Sequence, residues 1–300
     1  MENNNKKLPI CDELLDEHKK LLTHFYCAPI FIASTFSGTF WVKEEHLAPE
    51  KIDENTTRSG TVTFIKYKGE LYALTCKHVI DALKNKQREW KEEQEQKFNF
   101  TPPEEGIGFY TPIDNNQYHF NYEFTIVPVD DNGVQPDLAI ARVELYSIER
   151  LKRKPLIFTG KSKLPETGIA SGYPEEQRIM KQGEKLNTFS PKIVTCTATL
   201  NESMAGNIYI EDSIDSHNDV DVLSGMSGGP LIWSSHDKFG LAGIVKSGYD
   251  IQPKEGGLIL NNCIVVHGER ITPKLLDNWL KSIPSLNLLE DKSKSLFIPE

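Results

Sequence analysis

The chain has 300 residues, a formal net charge of −9 and a hydrophobic content of 38%, enough for one large all-β domain or two small ones with sizeable polar loops. The acidic balance and the lack of a basic stripe argue against nucleic-acid binding and favour basic peptide partners. No apolar run approaches the about 20 residues of a membrane span, and the polar start Met1-Glu2-Asn3-Asn4-Asn5-Lys6-Lys7 has no apolar signal core after it.

In chain order, residues 8–28 place Leu14, Leu15, His18, Leu21, Leu22 and Phe25 at helical spacing, which predicts an N-terminal helical extension (1–28) packed on the body of the protein. Ile30 to Phe36 and Gly38 to Val42 read as strands, and Lys43 to Ser59 as a polar loop. Gly60 to Tyr67 alternates, turns at Lys68-Gly69-Glu70 and returns as Leu71 to Cys76, a hairpin that delivers His78. Val79 to Leu83 fits a short helical turn. Lys84 to Lys97 is dense in charge and glutamine, with Trp90 its one large apolar residue. It predicts an exposed helix or loop within a charged insertion, residues 84–103. Further strands are expected at Ile107 to Tyr110 and Tyr118 to Val129, with a turn at Asp130-Asp131-Asn132-Gly133.

Asp137 follows Pro136 and opens the alternating run Leu138 to Val143. Lys152 to Pro165 is a basic, proline-marked link. Strands then read at Gly168 to Pro174, Ile193 to Leu200, Asn207 to Ile210, Leu231 to Trp233, Leu241 to Val245 and Ile264 to Val266. Ile271 to Ile283 predicts a helix with Pro273 in its first turn and Leu275, Leu276, Trp279 and Leu280 on one face.

Three stretches carry chemistry. Leu74-Thr75-Cys76-Lys77-His78-Val79 ends a strand on a histidine, Pro136-Asp137-Leu138 opens one on an aspartate, and Gly225-Met226-Ser227-Gly228-Gly229-Pro230-Leu231 sets a serine among glycines before an apolar strand. A serine hydroxyl becomes a nucleophile when a base takes its proton and its oxyanion is stabilised. The order His, Asp, Ser is one of three in which such triads occur. With these motifs the chain resembles the trypsin-like serine proteases, of an intracellular bacterial type. The resemblance implies an all-β fold of two six-stranded antiparallel β-barrels, residues 29–150 and 151–284, the second with the C-terminal helix, followed by a tail at 285–300. It implies His78, Asp137 and Ser227 as the catalytic triad, and Gly225 and Ser227 as the oxyanion-hole amides. No cofactor and no metal enter this chemistry, and the partner is a protein or peptide substrate, with neither nucleic acid nor membrane.

The resemblance also implies that Asp221, six residues before Ser227, sits at the base of the specificity pocket and selects Arg or Lys. Five acidic residues between Glu211 and Asp221 leave open that its position is incidental. Lys246, Ser247 and Gly248 match the segment that pairs with substrate backbone. Lys246 replaces a serine that bonds the triad aspartate in trypsins, and either pairs with that aspartate or points away. Met226 replaces the aspartate that receives a freshly cut N-terminus, so control falls to a regulatory partner protein, a ligand, the extension or the insertion. The five cysteines are scattered. Those that secreted trypsins form into disulfides beside the histidine and the serine are replaced by Val79 and Leu223, which points to a reduced, cytoplasmic setting. The competing reading is a catalytically decayed binding or scaffold protein on the same barrels.

Overall fold

A computed structural model describes residues 23–34, 59–98 and 107–283, apart from stretches of which 214–223 and 252–262 are the longest. The expectations for most of the N-terminal extension, the strand at 38–42, the polar loop, Asp221 and the tail lie outside the described residues. Residues 23–26 are helical, and the chain turns directly into strand β1 (Cys27–Ser34).

The first half is one antiparallel sheet: β1, β2 (Ser59–Tyr67), β3 (Glu70–Thr75), β4 (Ile107–Ile113), β5 (Asn116–His119), β6 (Thr125–Ile126) and β7 (Ala139–Arg142). Their order is β5-β4-β1-β2-β3-β7-β6, and β8 (Leu156–Ile157) joins β2 as the one parallel neighbour. Among the described residues this sheet has two free ends, whereas the second half closes. β9 (Thr167–Gly172), β12 (Val194–Glu202), β13 (Ile208–Ser213), β14 (Pro230–Ser235), β15 (Lys238–Ile251) and β16 (Cys263–Arg270) form a six-stranded barrel in the order β12-β13-β16-β15-β14-β9. Between them runs a small hairpin, β10 (Arg178–Lys181) with β11 (Thr188–Pro191).

The helical turn expected after His78 and the exposed helix or loop expected over Lys84 to Lys97 are one element, α1 (Lys77–Phe98). No glycine or proline interrupts this run of Lys, Glu, Gln and Arg, all strong helix formers, so nothing stops the turn that begins beneath the histidine. A second helix, α2 (Leu145–Arg150), follows β7.

The C-terminal helix, α3 (Pro273–Ser282), starts where Thr272 caps the Leu275 N–H through its hydroxyl at 3.1 Å and Pro273 fills the first turn. It crosses back to the first sheet. Leu276 and Trp279 are buried in the core that holds Val62, Phe64, Leu74, Leu138 and Ile140. The Trp279 indole meets the Tyr72 ring edge-on at 5.5 Å and donates to Thr125 Oγ1 at 3.0 Å. Tyr67 donates to Asp277 from the same sheet. The helix thus belongs by sequence to the second half and by packing to the first.

β2 carries the boundary between the halves. It alternates apolar and polar residues, yet Thr61, Thr63, Val62 and Phe64 are all fully buried. Val62 and Phe64 join the first core. The two threonines point the other way, onto the loop that carries Ser227.

Candidate active site

The histidine is placed by the corner between β3 and α1. Val79 and Ile80 donate their amides to the Cys76 carbonyl at 3.2 and 3.4 Å, which starts the helix with His78 in its first turn. The His78 side chain is half exposed, whereas Asp137, entering the buried Leu138–Ala141 run, is only 15% exposed. Both carboxylate oxygens of Asp137 face His78. Oδ2 lies 2.7 Å from Nδ1, and Oδ1 accepts the His78 backbone N–H at 3.1 Å. A carboxylate only accepts, so Nδ1 carries the proton and Nε2 is left as the basic nitrogen.

Burial pushes the Asp137 carboxyl up. The hydrogen bond from the His78 ring, the ring's charge, the His78 N–H and the Lys246 ammonium outweigh it, holding Asp137 below its ordinary value. It therefore stays an anion behind the imidazole.

Ser227 sits at the entrance of β14. Gly225 at φ +96° and Gly228 at φ +90° turn the loop, and a Cβ on Gly228 would collide with the Thr61 carbonyl oxygen and Thr75 Oγ1. The first sheet braces this loop through buried threonines. Thr61 Oγ1 donates to the Gly225 carbonyl at 3.0 Å and accepts the Tyr173 amide at 3.1 Å. Thr63 Oγ1 donates to the Gly228 carbonyl at 2.8 Å, and the Thr61 amide to the Ser227 carbonyl at 2.8 Å. The amides of Gly228 and Gly229 donate to the carbonyls of Val245 and Met226. Among the described residues no such acceptor holds the amides of Gly225 and Ser227.

The Ser227 hydroxyl donates to the Lys246 carbonyl at 3.0 Å. The loop is also tied to the histidine corner, because the Cys76 thiol donates to the Val245 carbonyl at 3.1 Å. From Lys246 onward β15 pairs with β16 alone among the described strands, after a register shift between Val245 and Ser247. Lys246, Ser247 and Gly248 therefore present a backbone edge next to Ser227. Asp221 lies outside the described residues.

Lys246 points neither into solvent alone nor at Asp137. Its ammonium pairs with Glu269 Oε2 at 3.6 Å, and that same oxygen accepts the Asp137 amide at 3.2 Å. Glu269 had no signal in sequence, lying beyond the strand expected at Ile264 to Val266, which the structure extends to Arg270. The bracing threonines had one, their alternation in β2, which is also the pattern of a solvent-facing strand.

Cys76 Sγ, a His78 ring nitrogen and an Asp137 oxygen lie within 4.8 Å of one another. Burial first, and then the Asp137 charge, push the Cys76 thiol well up, so it is a neutral donor rather than a thiolate ligand. With both Asp137 oxygens spent on His78, the group is built for holding a proton rather than an ion.

A family model described as a trypsin-like peptidase domain matches residues 59–241. Among solved structures, the chain is similar to a thermostable serine protease, AL20, from an extremophilic microorganism, at 12% identity over 85% of this chain and 95% of that one, TM-score 0.45. It is similar to the protease Anisep from Arthrobacter nicotinovorans at 12% identity, over 82% and 90% of the two chains, TM-score 0.43. Human heparin binding protein is similar at 9% identity over 88% and 92%, TM-score 0.41. No curated protein matches the sequence.

Proposed function

The chain belongs to the trypsin-like peptidase domain family, and from this we propose that it is a serine endopeptidase working through His78, Asp137 and Ser227. The observation that carries the reading is the two-point grip of Asp137 on His78 at 2.7 and 3.1 Å, beside a serine loop braced from the same sheet. In the proposed reaction the Ser227 hydroxyl turns from the Lys246 carbonyl toward His78. Its oxygen bonds to the substrate carbonyl carbon as Nε2 takes its proton, and the Gly225 and Ser227 amides bind the oxyanion. His78 returns the proton to the departing amine, and water, deprotonated in turn by His78, releases the acid.

Lys246 to Gly248 would hold the substrate backbone as an added strand. The resemblance assigns Asp221 to the specificity pocket and cleavage after Arg or Lys. Cys27 and Cys76 are buried free thiols, which supports a reducing, cytoplasmic setting. No helix among the described residues is long and apolar enough to cross a membrane. Without the ionic switch at position 226, control would fall to a regulatory partner protein, a ligand, the N-terminal extension or the inserted helix.

Hydrolysis of a peptide library by wild type, Ser227→Ala and Asp221→Ala tests this. Cleavage after basic residues that vanishes in the first variant and loses its basic preference in the second supports it. Cleavage unaffected by Ser227→Ala overturns it. The second reading, a binding or scaffold protein, is favoured by the ground-state bond from Ser227 to Lys246, which holds the hydroxyl on a carbonyl. It requires that Ser227 be inert to electrophiles.

A further inference from the structure

Among the described residues, the charged groups around the Asp137–His78 pair come from three directions. His78 and the neutral Cys76 thiol come from the β3–α1 corner, Lys246 from β15 and Glu269 from β16. Lys77, the nearest cation on α1, is occupied by Asp81 one turn on. Glu269 is only 15% exposed and Lys246 39%. One oxygen of Glu269 receives both the Asp137 amide at 3.2 Å and the Lys246 ammonium at 3.6 Å. Two mostly buried carboxylates, Asp137 and Glu269, are therefore linked through the Asp137 amide, with the Lys246 ammonium beside them as the cation that offsets their charge.

We propose that Glu269 is a positioning residue for the Asp137–His78 pair, fixing the backbone of Asp137 from the opposite half while Lys246 offsets the second negative charge. The inference rests on the serine-peptidase reading. The geometry gives it two parts. The hydrogen bond from the Asp137 amide keeps the carboxylate aimed at His78, because the same residue supplies the amide and the side chain. Lys246 joins the two machines: its ammonium holds Glu269, and its carbonyl receives the Ser227 hydroxyl. The Lys246–Glu269 couple thus spans from the aspartate's support to the serine.

The opposite charges of the couple give opposite expectations. A nearby anion favours the protonated imidazole and a nearby cation disfavours it. The pH midpoint of the His78 ring resonance, assigned by its loss in His78→Ala, is measured by NMR on the full chain in wild type, Glu269→Gln and Lys246→Met. The midpoint moves down in Glu269→Gln, up in Lys246→Met, and back toward wild type in the double variant. No movement, or movement in the same direction, overturns the proposal. Lys246→Met, at the more exposed of the two sites, keeps the test decisive if Glu269→Gln does not fold. Reaction of Ser227 with a fluorophosphonate is followed in the same samples. Opposite shifts in a wild type that does not react would sink the peptidase reading and leave the positioning role standing. A reactive wild type without those shifts does the reverse.

Discussion

The side chain of Met226, the residue before Ser227, is fully buried against Gly172, and a Cβ on Gly172 would lie 2.7 Å from the Met226 Cα. Met226 joins the core of the second barrel with Ala170, Cys196, Leu231 and Val266. The serine loop is thus anchored by apolar packing at the position where secreted trypsins use an ion pair. Met226→Leu should keep stability within about 1.5 kcal/mol. Met226→Asp buries an unpaired charge and should lose about 3–5 kcal/mol, read as a lower urea midpoint. An unchanged midpoint in Met226→Asp would show that the loop is not held this way.

Asp137 makes stability depend on pH in a defined direction. Its folded pKa lies below the ordinary 3.8, so the unfolded chain takes up the proton first. Its contribution is fully present above that value and is lost as pH falls through the folded pKa. Wild type should therefore lose stability relative to Asp137→Asn only below about pH 4 to 5. Parallel curves for the two proteins, from denaturant titrations across pH 2–7, would remove Asp137 as a favourably placed anion.

Thr61 stitches three elements: its hydroxyl donates to Gly225, accepts from Tyr173, and is fully buried. Thr61→Val keeps the shape and strands both partners, each costing about 1–3 kcal/mol. Reactivity of Ser227 should fall as well, because the loop that carries it loses its brace. A valine variant with wild-type reactivity and unfolding would show that the brace is incidental.

Trp279 ties the C-terminal helix to the first sheet. Trp279→Ala should cost about 3–5 kcal/mol. Phe at the same site keeps the ring contact with Tyr72 but loses the bond to Thr125, and should cost less. Thermal unfolding of the pair checks the order, and equal losses would contradict it.

Much of this was legible because the informative residues declare themselves locally. The strand before His78, the proline before Asp137 and the glycines around Ser227 each restrict the backbone on their own. What was not legible depends on partners far away in sequence. That the turn after His78 and the charged run behind it join into one helix stays open in sequence, because such a run fits an exposed helix or a loop, although nothing in it breaks a helix. Thr61 and Thr63 fit either a solvent face or a buried one, and only the loop packed upon β2 decides. Glu269 lies 132 residues from Asp137, and no pattern within one strand announces such a bond. That the apolar face of α3 packs on the first sheet, likewise, is set by the partners it meets there, Tyr72 and Thr125.

The central claim is that Asp137 and His78 make Ser227 a nucleophile. Its most direct measurement is the second-order rate of fluorophosphonate labelling, with the modified residue located by mass spectrometry. Wild type should be labelled at Ser227 alone, with labelling abolished in Ser227→Ala and reduced by about 10²–10⁴ in His78→Ala. Asp137→Asn should fall between His78→Ala and wild type or match the former. Labelling that is absent in wild type, or that proceeds equally well without His78, would contradict the claim.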